Sequence, residues 1–270
     1  MKVFISVDME GIAGVTHSRH ADNEHPEYQR ARKWMTGEAN AAIEGALAAG
    51  ATEIVVADSH SSMDNLLPEE LNEAAQLVRG APRPLSMMHG LDDTFDAVLL
   101  VGYHARAGSA TGVIAHTYTG AVYNVRLNGI TVGESGLNAA LAGNFGVPVA
   151  LVCGDDALAA EVGEVMPWAE RVIVKWAINA QSARNLTPGA AQKRIRDGAK
   201  RALERLPEMK PLILKQPIRL EIDFKQPLHA QIAAEIPGVT RLAERTVAYT
   251  GNDALEAIRM FRLMMRVIAD

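Results

Sequence analysis

Over the first 180 residues, short and almost wholly apolar β-branched runs alternate with longer segments of helical periodicity. This is the pattern that most narrows the choice of fold. The strand-like runs are 2–7, 53–57, 97–101, 122–127, 147–153 and 171–175. Between them, 27–49 carries Met35, Ala39, Ile43 and Leu47 at helical spacing, with Gly50 where a helix-ending glycine belongs. Shorter helices are expected over 68–78, 136–143 and 155–166. Strands apolar along their whole length are buried on both faces, and helices of this spacing supply the crossovers that parallel strands require. The expected fold class is therefore α/β, a mostly parallel sheet with flanking helices spanning residues 1–180. The texture then changes. Pro188 opens a basic, alanine-rich helix at 189–206, strand-like stretches follow at 212–224 and 246–249, and an amphipathic helix closes at 253–268. Residues 181–270 read as a smaller C-terminal α+β domain.

Composition removes several classes of function. The formal net charge is −5, lysine and arginine are scattered, and aromatic residues make up 5% of the chain, so neither a nucleic-acid surface nor a base-stacking platform is expected. No uncharged apolar window approaches the ~18 residues of a membrane span, so no membrane partner is expected. The single cysteine, Cys153, lies within an apolar strand and reads as a buried thiol. With no internal disulfide possible and no signal-peptide core in the opening residues, a cytoplasmic location is expected.

The polar residues that carry chemistry cluster by position. Asp8 and Glu10 follow the first strand, Asp58 and His60 the second, His104 the third, and Asp155 and Asp156 the strand ending at 153. Glu134 stands between a short strand-like stretch and a helix. In open α/β sheets, sites form outside the carboxyl ends of the strands, where such loops converge. Each residue also has a plain structural reading. Asp8 can cap a helix and Glu10 be solvated; His60 and His104 can be hydrogen-bonded loop histidines; Asp58 can cap its turn or orient an imidazole; Glu134 can complement a helix dipole. Taken together, Asp8, Glu10, His60, His104 and Glu134 offer three carboxylates and two imidazoles, a donor set suited to zinc. They suffice for two metal ions if one carboxylate bridges. His116 is a further candidate, as a third ligand, a general base, a nucleophile, or a packed histidine with one hydrogen bond. His17, His20 and His25 fall in an acidic, proline-containing loop, either solvated or forming a lid, while His89 and His229 lack supporting neighbours. No phosphate-binding loop, His-Glu-x-x-His, Gly-x-Ser-x-Gly or dinucleotide fingerprint is present, and no cationic clamp lies near these motifs.

Six stretches carry a family resemblance: Ser-Val-Asp-Met-Glu-Gly-Ile-Ala-Gly at 6–14, Asp-Ser-His-Ser-Ser-Met at 58–63, Gly-Leu-Asp-Asp-Thr-Phe at 90–95, Gly-Tyr-His-Ala-Arg at 102–106, Val-Gly-Glu-Ser-Gly-Leu-Asn at 132–138 and Gly-Asp-Asp at 154–156. Together the chain resembles the zinc-dependent D-aminopeptidases of the dipeptide-transport-operon type. The resemblance implies two zinc ions per subunit, one held by Asp8, Glu10 and His60 and the other by Asp8, His104 and Glu134. It also implies that His116 is the catalytic histidine and that subunits form a decameric ring with inward-facing sites. The stretch 105–111 is slightly longer than the family pattern, although the Gly-Val-x-x-His frame around His116 is kept.

The expected function is thus a dinuclear zinc metallopeptidase that releases N-terminal, D-configured amino acids from short peptides or amino-acid amides. Two other readings remain open at this point. One is another dinuclear metallohydrolase, an amidase or phosphoesterase. The other is a non-catalytic, metal-stabilised assembly protein that binds peptides.

Overall fold

In a computed structural model, which describes residues 1–268, the most apolar runs form the middle of a seven-stranded sheet. Its order is β3 (Ala75–Val78), β2 (Glu53–Asp58), β1 (Lys2–Val7), β4 (Ala97–Tyr103), β7 (Val149–Asp155), β8 (Glu170–Asn179) and β9 (Ser182–Asn185). All neighbours are parallel except β8 and β9. A second, antiparallel sheet runs β11 (Thr240–Ala243), β12 (Thr246–Gly251), β10 (Ile218–Phe224), β5 (Val122–Leu127) and β6 (Ile130–Thr131). The helices are α1 (Ser18–Ala21), α2 (Tyr28–Ala48), α3 (Glu134–Asn144), α4 (Asp156–Val165), α5 (Pro188–Glu204), α6 (Pro227–Ala233) and α7 (Ala254–Val267).

Alternation along β1 shows why the large sheet is buried on both faces. Val3, Ile5 and Val7 pack with Met35, Ala39 and Ile43 of α2 and Ile195 of α5 in one apolar cluster. Phe4 joins a second cluster, built from Leu137 and Leu141 of α3, Leu220 and Ile222 of β10, and Phe261 of α7. Each fully buried large aliphatic or aromatic side chain contributes about 1.5–3 kcal/mol, so the apolar central strands dominate the fold's stability. Leu47, expected on the buried face of its helix, is exposed.

Three expectations are corrected. Residues 68–78 do not form a helix: a 3-10 turn at Pro68–Glu70 leads into β3, which satisfies the backbone groups on the open edge of β2. The strand at 122–127 belongs to the antiparallel sheet: Val125 and Leu127 are buried with Arg126 between them, and a register shift at Asp223–Phe224 lets Val122 be buried too. Both sheets draw on residues from each side of the division expected between 1–180 and 181–270. β5 and β6 pair into the sheet built mainly from the C-terminal third, whereas α5 packs on α2 and on the parallel sheet. The final two residues of that unit lie outside the described residues. Of the stretch 212–224, only Ile218–Phe224 is strand, starting directly after Pro217, which has no N–H to give a ladder.

The strand order fixes where a site can form. From β1 the chain winds outward to β2 and β3 on one side, then returns to β4 and continues to β7 and β8 on the other. The β1–β4 junction is therefore the switch point of the sheet, where a crevice opens beyond the carboxyl ends. Among the described residues, no helix is long and apolar enough to cross a membrane.

Candidate metal centre

Asp8 and His104 occupy the ends of the two strands that flank the switch point. The Asp8 N–H donates to the Val101 carbonyl at 2.8 Å, and the Gly11 N–H to the Gly102 carbonyl at 2.7 Å, so the two loops leave the sheet together. This approach requires glycine at 102, whose φ is +70° and whose added Cβ would stand 2.2 Å from the Asp8 carbonyl oxygen. His60 projects from the loop after β2. Asp58 shapes that loop by accepting from the backbone N–H groups of Asn65 and Leu66, each at 2.6 Å, and from Asn65 Nδ2 at 2.7 Å. Asp58 thus caps its turn and makes no hydrogen bond to the imidazole. Glu134 is the first residue of α3, after Gly133, and its Oε1 accepts the Tyr118 N–H at 2.7 Å.

The structure brings all six candidate side chains to one place. His60 Nδ1 lies 3.4 Å from Asp8 Oδ1 and 2.9 Å from Glu10 Oε2. His104 Nε2 lies 3.5 Å from both Asp8 Oδ2 and Glu134 Oε1. His116 Nε2 stands 3.9 Å from Glu10 Oε1 and 3.8 Å from Glu134 Oε1, and its ring stacks on His104 with centroids 4.2 Å apart. Asp8 therefore faces both His60 and His104, one oxygen toward each.

The outer nitrogen of each imidazole is anchored on a backbone carbonyl: His60 Nε2 on Ala21 at 2.8 Å, His104 Nδ1 on Ala105 at 2.9 Å, and His116 Nδ1 on Ile114 at 2.9 Å. A carbonyl only accepts, so the outer nitrogen carries a proton and the inner one faces the acids, where a metal ion can take its lone pair in place of a second proton. Asp8 Oδ2, Glu10 Oε2 and His104 Nε2 are buried without a hydrogen-bond partner. Inner nitrogens and unpartnered carboxylate oxygens turned toward one another call for positive charge between them, and the mixed nitrogen and oxygen donors suit zinc.

Charge within the site points the same way. Burial, reinforced by the negative charge of Glu10, raises the Asp8 carboxyl to about 7. Glu10 is held well below the usual range despite its burial, because His60 lies beside it. His60 is raised well above an ordinary imidazole by Glu10 and Asp8 acting against burial, and His104 is raised to about 10, with Glu134 outweighing its burial. Three buried acids close together thus depend on positive charge at their centre.

His116 differs from the others in exposure. Its side chain is 24% exposed, against 8% or less for Asp8, Glu10, His60, His104 and Glu134, so it alone is open enough to meet a substrate directly. Its loop is held by Thr117 Oγ1, which accepts the Ala107 N–H at 3.0 Å, and by Asp155, which accepts the Val113 N–H at 2.9 Å and caps α4 through Leu158. Ile114 and Tyr118 on either side have φ of +51° and +61°, and Ser61, Met63 and Ser86 are also left-handed. Backbone strain, costly above all at a β-branched residue, is concentrated around this pocket. The pocket encloses about 440 Å³.

The remaining candidates fall outside the centre or serve it indirectly. Asp156 accepts the Ala177 N–H at 2.9 Å, and Cys153 is a buried thiol raised well above its usual range by burial. His17 caps α1 and His20 is buried, so neither is merely solvated, and this segment supplies the Ala21 carbonyl to His60. His25 accepts the Glu27 N–H on the way into α2. His89 and His229 lie elsewhere, each with a buried, unpartnered Nδ1.

Two groups of functional residues escape sequence reasoning. Lys175 is fully buried, and its Nζ donates to the carbonyls of Glu10, Ile12 and Val15, tying down the loop that carries two of the acids. A lone lysine in an apolar strand was the available signal. Arg83, Arg262 and Arg266 line the pocket from distant segments. The expectation of no cationic clamp holds only along the sequence, so it does not count against a phosphoesterase.

Comparison with known proteins agrees with this geometry. A family model described as D-aminopeptidase matches residues 1–263. The D-aminopeptidase of Bacillus subtilis (strain 168) is 39% identical over 265 residues, covering 98% of this chain and 96% of the relative. The solved structure of the Zn-dependent D-aminopeptidase DppA from Bacillus subtilis, a self-compartmentalizing protease, superposes with a TM-score of 0.97. That match has 38% identity and covers 100% of this chain and 98% of the other.

Proposed function

The chain belongs to the D-aminopeptidase family, and from that premise we propose that it is a zinc metallopeptidase releasing D-configured N-terminal residues from short peptides or amino-acid amides. Two zinc ions per subunit would be held, one by Asp8, Glu10 and His60 and the other by Asp8, His104 and Glu134. The observation that carries this reading is the set of buried, unpartnered atoms Asp8 Oδ2, Glu10 Oε2 and His104 Nε2, which face one another at the switch point. Zinc bound there supplies positive charge against the charge that develops on the scissile carbonyl oxygen.

The chain's own residues do the rest. The Ile114 carbonyl keeps the proton of His116 on Nδ1, so Nε2 presents its lone pair to the pocket. From there His116 either takes a proton from the water that adds to the scissile carbonyl carbon and passes it to the amine as the C–N bond breaks, or bonds to that carbon itself, the amine leaving with a proton from a water whose hydroxide then releases the acyl group; both roles need the same free nitrogen. Lys175 holds the Glu10 loop, and Asp155 with Thr117 holds the His116 loop. The left-handed backbone around the pocket keeps these groups in place before substrate arrives.

A ring of subunits with inward-facing sites, decameric by family resemblance, is part of the same proposal, as is a cytoplasmic location, consistent with one buried, unpaired cysteine. The test is hydrolysis of paired D- and L-alaninamide before and after chelation. D-selective release that disappears with the metal and returns with zinc is expected. Activity indifferent to chelation, or preference for the L-amide, contradicts the proposal. Turnover of p-nitrophenyl phosphate in place of the amides assigns the site to a phosphoesterase.

A further inference from the structure

The pocket lining contains two chemically opposite groups, an acidic wall of Asp8, Glu10 and Glu134 with His60 and His116, and a basic wall of Arg83, Arg262 and Arg266. Arg262 and Arg266 are one turn apart on α7, and Arg83 comes from the segment after β3.

The hydrogen bonding of these arginines leaves capacity over. Arg83 is buried, and its guanidinium donates to the carbonyls of Val78 and Asp58 and to Met63 Sδ. Arg262 is half-buried and donates once each to the carbonyls of Pro84 and Arg83. A guanidinium has about five N–H donors, so more than half of those on Arg262 are unused. Among the described residues, neither Arg83 nor Arg262 lies within ion-pair distance of a carboxylate. Burial lowers both guanidinium groups from their usual range, and each also feels a neighbouring arginine: Arg262 for Arg83, Arg266 and Arg259 for Arg262. Partly buried cations without counter-ions, facing a ligand pocket, are anion receptors in waiting.

The two groups share neighbours. Tyr118 donates its N–H to Glu134, and its phenol lies near enough to Arg262 to feel that charge. Arg83 in turn holds the carbonyl of Asp58, two residues before His60. One tyrosine and one loop therefore separate the acids from the cations. Met63, Met87 and Met265 also line the pocket, and their flexible thioethers adapt to varied side chains.

We propose that Arg262, supported by Arg83, binds the α-carboxylate of a short peptide whose amino end lies at the acidic wall. The enzyme is then selective for free-acid dipeptides and tripeptides over C-terminally blocked ones. The inference rests on the peptidase reading above. A short peptide would present its amine to the metal-binding acids and histidines and its carboxylate to the arginines, and a pocket of about 440 Å³ is at the small end of the range for ligand sites.

The test compares kcat/KM of the zinc-loaded enzyme on D-alanylglycine and on its C-terminal amide, which differ only at the carboxylate. Wild type should favour the free acid by about tenfold or more, the yield of a charge-assisted hydrogen-bonded pair. In Arg262→Gln the acid-to-amide ratio should fall to about one, and in Arg262→Lys it should be intermediate, because lysine keeps the charge without the fork. Rising salt should raise KM for the acid and not for the amide. If Arg262→Gln does not fold, the wild-type ratio and its salt dependence decide. Equal efficiency on both substrates, or an equal loss on both in Arg262→Gln, overturns the inference and leaves the peptidase reading intact. Hydrolysis of neither overturns both.

Discussion

Glu38 offers a sharp test of the electrostatic reasoning because it is buried near the centre without belonging to it. It lies on α2 at 1% exposure, its Oε1 accepts the Ala13 N–H at 2.8 Å, and its Oε2 has no partner. Burial raises its carboxyl from 4.5 to about 8, against the pull of the Ala13 N–H and of Lys175. The folded state therefore holds a proton that the unfolded chain has released. The stability this confers is complete below pH 4.5 and is lost as pH rises through about 8. Over that interval, at about 1.36 kcal/mol per pH unit, the loss reaches about 5 kcal/mol. Glu38→Gln keeps the acceptor for Ala13 and removes the titration. Urea unfolding of both proteins from pH 4 to 9, at matched protein and zinc concentrations, gives the difference in stability at each pH. Asp8 and the titrating groups that do not feel Glu38 are common to both and drop out. The wild type should lose about 5 kcal/mol relative to the variant across this range. Parallel pH profiles would refute the assignment of a neutral, buried Glu38.

Other outcomes follow from the same structure. His116→Ala should abolish turnover while zinc content, measured by elemental analysis, stays at the wild-type level; loss of zinc would make His116 a ligand instead. Lys175→Met strips the donor from the carbonyls of Glu10, Ile12 and Val15 and should cost about 2 kcal/mol or more in urea unfolding, with unchanged stability counting against its tethering role. Gly102→Ala forces a Cβ to within 2.2 Å of the Asp8 carbonyl oxygen at a φ of +70°. It should lower the melting temperature and weaken zinc retention together, and a variant that melts like wild type would show that the two loops can separate freely.

Much of the site was legible because its residues share one rule of position. Asp8, His60 and His104 each follow a strand whose uniform apolarity marks it as central, so parallel topology alone brings them to one edge. Glu134 and His116 were harder, since their place depends on β5 leaving the main sheet and on a loop with left-handed residues. The antiparallel sheet was legible only in part. Tyr123, Asn124 and Arg126 among the valines and leucine of Val122–Leu127 mark a strand with one wet face, yet nothing local says that its partner is Ile218–Phe224, some ninety residues on. The edge strand Ala75–Val78 exists because β2 has an open side, which is a tertiary fact. Lys175 and the arginine wall were missed for the same reason: a cation's role depends on which carbonyls and carboxylates surround it, and those come from distant segments.

The central claim is that Asp8 is shared between two metal ions, and zinc stoichiometry in Asp8→Asn and His60→Ala tests it most directly. Asp8 sets one oxygen 3.4 Å from His60 Nδ1 and the other 3.5 Å from His104 Nε2. Elemental analysis should find about two zinc ions per chain in wild type, about one in His60→Ala, and close to none in Asp8→Asn, because a bridging carboxylate serves both. A wild type with a single ion, or an Asp8→Asn enzyme that keeps as much zinc as His60→Ala, would contradict it.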